Sequence, residues 1–189
     1  MTATTSTDER PDRAGRLPGN PLIWVLILSE IAVFTAALAG FSLTRVLNPE
    51  MFAAGVAALN PLAGSANTAI LLTSGLLAAW ALEAARAGNR WSVRLYLGLS
   101  MALGALFVAI KILEYVHKIE LGLTIDTDAF FTLYYLITGF HLAHVLFGIG
   151  VLGLVAVFCE EENVETGVAF WHMVDLIWVM VFPVLYLVR

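Results

Sequence analysis

His141 and His144 stand three residues apart, as do His172 and Asp175, and Glu114 and His117. On a helix this spacing puts both members of a pair on one face, where polar groups of adjacent helices can meet. Two or three imidazoles between helices are able to ligate haem or copper, with Asp175 orienting His172 from behind. The same residues, His141, His144, His172 and Asp175, also read as a hydrogen-bonded network locking two helices together. Gly148, Gly150 and Gly153 would allow the close approach this needs. Glu114-x-x-His117 reproduces the Glu-x-x-His pattern of four-helix di-iron sites, but such a site needs a second copy and two further carboxylates. No second Glu-x-x-His occurs in the chain. Lys111, one turn before Glu114, offers that carboxylate an ion pair instead.

Glu30 stands in the middle of a long apolar run. A carboxylate near a bilayer centre is costly, so Glu30 is expected to be protonated, hydrogen-bonded to a neighbouring helix, or both. It is the first candidate for function, either fixing helix register or taking part in proton handling or a partner contact. Asn67, Thr68, Thr73 and Ser74 read more simply as interhelical hydrogen bonds among small residues. Cys159, the single cysteine, cannot form an internal disulfide and reads as a small apolar side chain at a helix end.

The elements that must position these residues are membrane helices. Of 189 residues, 60% are apolar and 13% charged, against roughly 45–50% and 25% in soluble domains, and the mean hydropathy is +0.85. No charged residue falls in 51–82 or 129–159, and shorter clean runs cover 31–44, 95–110 and 176–188. Each run approaches the length that crosses a bilayer. A net charge of −5 with ten Lys and Arg leaves no basic stripe for a nucleic-acid backbone.

Residues 1–20 are polar and read as a mobile tail. The remainder, 21–189, predicts an all-α integral membrane bundle of five transmembrane helices at about 21–47, 66–85, 91–117, 129–158 and 167–188. A secretory leader is the other reading of Arg10, Arg13 and Arg16 before an apolar stretch, but the run is longer than a signal core and contains Glu30. Five spans put Arg10, Arg13, Arg16, Arg86, Arg90 and Arg94 on one side. Arg45, Lys118 and Arg189, with Lys111 at the margin, fall on the other. The excess of basic residues predicts a cytoplasmic N-terminus and an external C-terminus.

Phe131-x-x-Tyr134-Tyr135-x-x-Thr138-Gly139-Phe140-His141-x-x-His144-Val145-x-x-Gly148 resembles a helix signature of haem-copper oxidase (cytochrome c oxidase) subunit III. Trp171-His172-x-Val174-Asp175-x-x-Trp178 resembles that family's last helix. Ser29-Glu30 with Phe34 is similar to its earlier buried-carboxyl helix, Asn67-Thr68 with Ser74-Gly75 and Gly88-Asn89-Arg90 to the helix after, and Glu114-Tyr115 to its Glu-Tyr pair. The matches run in family order over about 21–189. Five spans fit the short form of subunit III rather than the seven-helix form. Leu17-Pro18-Gly19, the spacing to Trp24, and the ending Trp178 to Phe182-Pro183 with Leu185-Tyr186-Leu187 look most like the NorE-type branch, encoded alongside nitric oxide reductases.

The resemblance implies an accessory subunit of a bacterial-type inner membrane, itself without haem or metal, packed among lipids against a haem-containing catalytic subunit. It would support assembly or sustained activity of a nitric oxide reductase or cytochrome c oxidase. On that reading His141, His144, His172 and Asp175 are packing residues, Glu114 and His117 are interhelical contacts, and Glu30 is the functional carboxyl. Long forms hold lipid in a cleft with help from a basic residue after the fourth-span signature, where this chain has Phe158-Cys159-Glu160. The rival is an independent haem quinol oxidoreductase with bis-histidine ligation by His141 or His144 and His172.

Overall fold

The computed structural model describes residues 21–187. Pro21 opens α1 (Pro21–Leu47) at a position where its missing N–H costs no hydrogen bond. Only a narrow stripe of α1 faces inward, including Ile23, Ile27, Phe34, Leu38 and Phe41. The rest of its circumference is apolar and exposed, as suits a helix bordered by hydrocarbon. A short α2 (Pro49–Ala57) follows, which the span pattern did not reveal because nine residues cannot cross a bilayer. Phe52 of α2 wedges between Phe41 and Phe130, with ring centroids 5.0 and 5.4 Å away.

Three of the following helices are started by a side chain. Asn60 Oδ1 accepts from the Leu62 and Ala63 N–H groups at 3.1 and 3.2 Å and opens α3 (Pro61–Arg86). The cap starts the helix five residues ahead of the span expected from about 66, so Gly64 and Ser65 lie in its first coils. Asn89 accepts from Ser92 N–H at 3.2 Å at the head of α4 (Arg90–Glu120), and Asp128 from Phe131 N–H at 2.9 Å at the head of α5 (Ala129–Phe158). The α5 terminus turns through Cys159, a non-glycine residue at φ 53°. Arg94 of α4 donates to the Ala156 and Val157 carbonyls at 3.2 and 3.4 Å, satisfying oxygens that have no partner within their own helix.

Helix α6 (Glu161–Phe182) begins well before residue 167, where apolarity starts. Glu161 and Glu162 occupy its first turn, where carboxylates favour the helix dipole. Pro183 then offers no N–H to the carbonyl one turn back, and the chain continues as a π-helical turn, Pro183–Leu187. The bundle is built around α6, which packs on α3, α5 and α1, while α3 packs on α4 and α4 on α5. Helices α1, α3, α4, α5 and α6 with its π turn are each long and apolar enough to cross a membrane. Among the described residues there is no strand.

Hydroxyls and indoles fasten these helices. Ser74 Oγ donates to the Ser100 carbonyl at 2.8 Å, and Ser100 Oγ returns a bond to the Ser74 carbonyl at 3.0 Å. Trp171 Nε1 donates to Ser74 Oγ at 3.1 Å and Trp178 Nε1 to Thr68 Oγ1 at 3.0 Å, so both α6 indoles are held by α3. Thr73 instead bonds the Ala69 carbonyl of its own helix at 2.7 Å.

Candidate functional site

Glu30 of α1 meets His144 of α5 near the bundle surface, Oε2 to Nε2 at 3.1 Å, with side-chain exposures of 20% and 15%. The distance is that of an ion pair, although the alignment falls short of a hydrogen bond. His144 Nδ1 lies 2.8 Å from the Phe140 carbonyl. A carbonyl only accepts, so Nδ1 must be the donor there. Nε2 therefore faces Glu30 at ion-pair distance, and the contact joins α1 to α5. Infrared spectra of the protein in lipid should show a carboxyl band that is lost in Glu30→Gln and displaced in His144→Gln. A Glu30 band unmoved by His144→Gln would mean that the two side chains do not interact.

A second polar site lies inside the bundle toward the other end of α4. Lys111, 1% exposed, donates to Glu114 Oε2 at 3.0 Å, Tyr134 OH at 3.0 Å and Tyr186 OH at 2.7 Å. All three ammonium protons are used. Tyr134 and Tyr186 each donate to Glu114 Oε1 at 2.9 Å, so every contact reaching Glu114 comes from a donor. Four rings, Tyr115, Tyr134, Trp178 and Tyr186, surround the ammonium with centroids 4.9–5.4 Å away, adding cation–π attraction. Lys118 stands 3.8 Å from Glu114 and donates to the Ala58 carbonyl at the end of α2 at 3.1 Å. The cluster thus joins α2, α4, α5 and the π turn.

Glu114, His141, His144, His172 and Asp175 do not form one network. Residues three apart on a helix of 3.6 per turn are still offset by about 60°, enough for each to address a different neighbour. His144 reaches α1, whereas His141 is enclosed by rings, stacked on Trp178 at 5.1 Å and edge-on to Phe107 at 5.7 Å, with neither ring nitrogen partnered. On α6, His172 lines an outer groove beside α1 and α3, and Asp175 is buried against Gly75 of α3. Their nearest approach is 3.7 Å. His117 is exposed, away from the Glu114 bonds.

In the sequence Tyr134 is a motif position, and nothing there assigns contacts to Lys118 or Tyr186. The available signal was Lys111-x-x-Glu114-x-x-x-Lys118, two cations and a carboxylate on one face of an apolar helix. Among the described residues, no group of three or more His, Cys, Asp or Glu is placed to hold a metal ion.

Four apolar spans and a fifth, more enclosed one, α6, with buried polar groups that join the helices to one another, define a multi-pass membrane bundle. A sequence profile described as cytochrome c oxidase subunit III matches residues 20–188. The cytochrome c oxidase subunit 3 of Synechocystis sp. is 28% identical over 174 residues, which cover 86% of this chain and 72% of the relative. That of Bacillus subtilis is 28% identical over 179 residues, 87% of this chain and 83% of the relative. That of Anopheles gambiae is 32% identical over 178 residues, with 86% and 66% covered. The chain belongs to the cytochrome c oxidase subunit III family.

Proposed function

We propose that this chain is an accessory subunit of a haem-copper-type respiratory complex, packed beside a haem-containing catalytic subunit in a bacterial-type cytoplasmic membrane. The carrying observation is the subunit III match over residues 20–188. In keeping with it, the two best-formed polar sites, Glu30–His144 and Lys111–Glu114, hold helices of this chain to one another. The role is to sustain assembly or lifetime of the partner. Glu30 is its functional carboxyl, and His141, His144 and Glu114 serve packing. The N-terminus is cytoplasmic on the distribution of Lys and Arg.

Relatives named as oxidase subunits favour an oxygen-reducing partner. The NorE-type reading, with nitric oxide reductase as partner, rests on the motifs at the two ends of the sequence. One experiment addresses both. Gentle extraction from the native membrane should bring a haem-containing subunit with the chain, and turnover of that preparation with oxygen or nitric oxide identifies the complex. Deleting the chain should leave the partner's haem spectrum while lowering its yield, turnover or working lifetime. Stoichiometric haem in the isolated chain, abolished by His141→Ala or His172→Ala, would sink the proposal.

A further inference from the structure

A groove of about 530 Å³ runs between α1, α3 and α6, within the ~300–1,000 Å³ of small-molecule sites. Its walls are mostly apolar and include two indoles, Trp24 and Trp80, with Ile27, Met173 and Leu176. At one end Arg86 pairs with Glu83 at 3.0 Å and with Glu165 at 3.4 Å. His172 also lines the groove, with 47% of its side chain exposed. Behind it Asp175, 6% exposed, turns Oδ2 toward His172 Nδ1 at 3.7 Å, while its Oδ1 has no hydrogen-bond partner. Neither group takes part in the Glu30 or Lys111 sites.

Depth decides what kind of molecule fits. His172 is seven residues beyond Glu165 on α6, which sets it roughly 10 Å further along the helix axis. A phospholipid whose headgroup meets Arg86 and its carboxylates would lay hydrocarbon against His172 and leave the imidazole unmatched. A polar side chain at hydrocarbon depth facing a groove calls for a ligand with hydrogen-bonding atoms at that depth. A flat ring bearing carbonyl or hydroxyl oxygens on an isoprenoid tail supplies them. Its faces suit the indole walls, and its tail suits the apolar remainder of the groove.

We propose that the groove between α1, α3 and α6 binds the ring of a lipid-soluble quinone or quinol, with His172 hydrogen-bonding a ring oxygen and Asp175 positioning the imidazole. Asp175 faces the Nδ1 side of the ring from 3.7 Å, so Nε2 is left for the ligand. Either redox form can be bound, since a neutral imidazole nitrogen donates to a carbonyl or accepts from a hydroxyl according to tautomer. Binding alone is assigned, with no electron transfer by this chain.

The test uses native membranes carrying the full chain. Photolabelling with an azido-ubiquinone should mark the α6 peptide containing His172, and decyl-ubiquinone should suppress the mark while didecanoyl phosphatidylethanolamine does not. His172→Leu should reduce labelling at least tenfold, His172→Gln should retain part of it, and Asp175→Asn should weaken it several-fold. His172 is half exposed, so its replacement leaves the core intact, and partner copurification checks this separately. Labelling undiminished in His172→Leu, no suppression by decyl-ubiquinone, or equal suppression by the phospholipid would overturn the assignment. Because copurification is read in the same samples, failure here leaves the accessory-subunit reading standing or falling on its own result.

Discussion

Replacing Lys111 by methionine is expected to cost about 3–5 kcal/mol of stability, the usual consequence of removing one partner from a buried charge pair. Methionine fills similar space, so the loss is electrostatic rather than steric. Glu114 would keep its two tyrosine donors and Lys118 at 3.8 Å, but would lose its shortest cation contact, at 3.0 Å. Tyr134 and Tyr186 would each lose the donor that now fills an oxygen lone pair. Thermal unfolding in detergent should show the change as a large fall in midpoint and in folded yield. The companion Lys111→Met with Glu114→Gln removes both charges, keeps an acceptor for the tyrosines, and should recover at least half of the loss. No recovery would mean that the cluster acts through packing of the lysine stem among its four rings.

The sites separate what a sequence discloses from what it withholds. Long charge-free runs announce five spans because hydrocarbon tolerates little else. Asn60-Pro61 and Gly88-Asn89, legible as turns, prove to be helix starts because asparagine side chains accept the first free N–H groups. Spacing along one helix was sufficient for Lys111 and Glu114, which pair within α4. It was insufficient for His141 and His144, since an offset of about 60° decides between an aromatic interior and a neighbouring helix. Glu30 was legible as a buried acid, but its partner is 114 positions away and is chosen by how α1 leans on α5. Tyr186 reaches Lys111 from the π turn at Pro183, a winding that a 3.6-residue pattern does not anticipate.

The second large effect concerns Trp171, a fully buried indole of α6. Its ring lies between two glycines on different helices. A Cβ on Gly104 of α4 would fall 2.7 Å from Trp171 Cη2, and one on Gly148 of α5 would fall 2.8 Å from Cε3 and Cζ3. Carbon atoms need roughly 3.5–4.0 Å, and the indole has no slack because Nε1 is tied to Ser74. Gly148→Ala is therefore expected to destabilise by ~1–3 kcal/mol, the range for overpacking a filled core, and Gly148→Val by more. Glycine also costs a helix about 0.5–1 kcal/mol relative to alanine in backbone entropy, so a destabilising alanine marks the clash as the larger effect. Trp171→Phe deletes the crowded half of the indole. Alone it should destabilise, by opening a cavity and freeing Ser74, yet in the Gly148→Ala background it should restore part of the lost midpoint. That reversal of sign in a double-mutant cycle is the result required if the two glycines are there to admit the indole. Additive losses would instead locate the need for glycine in the approach of the helix backbones.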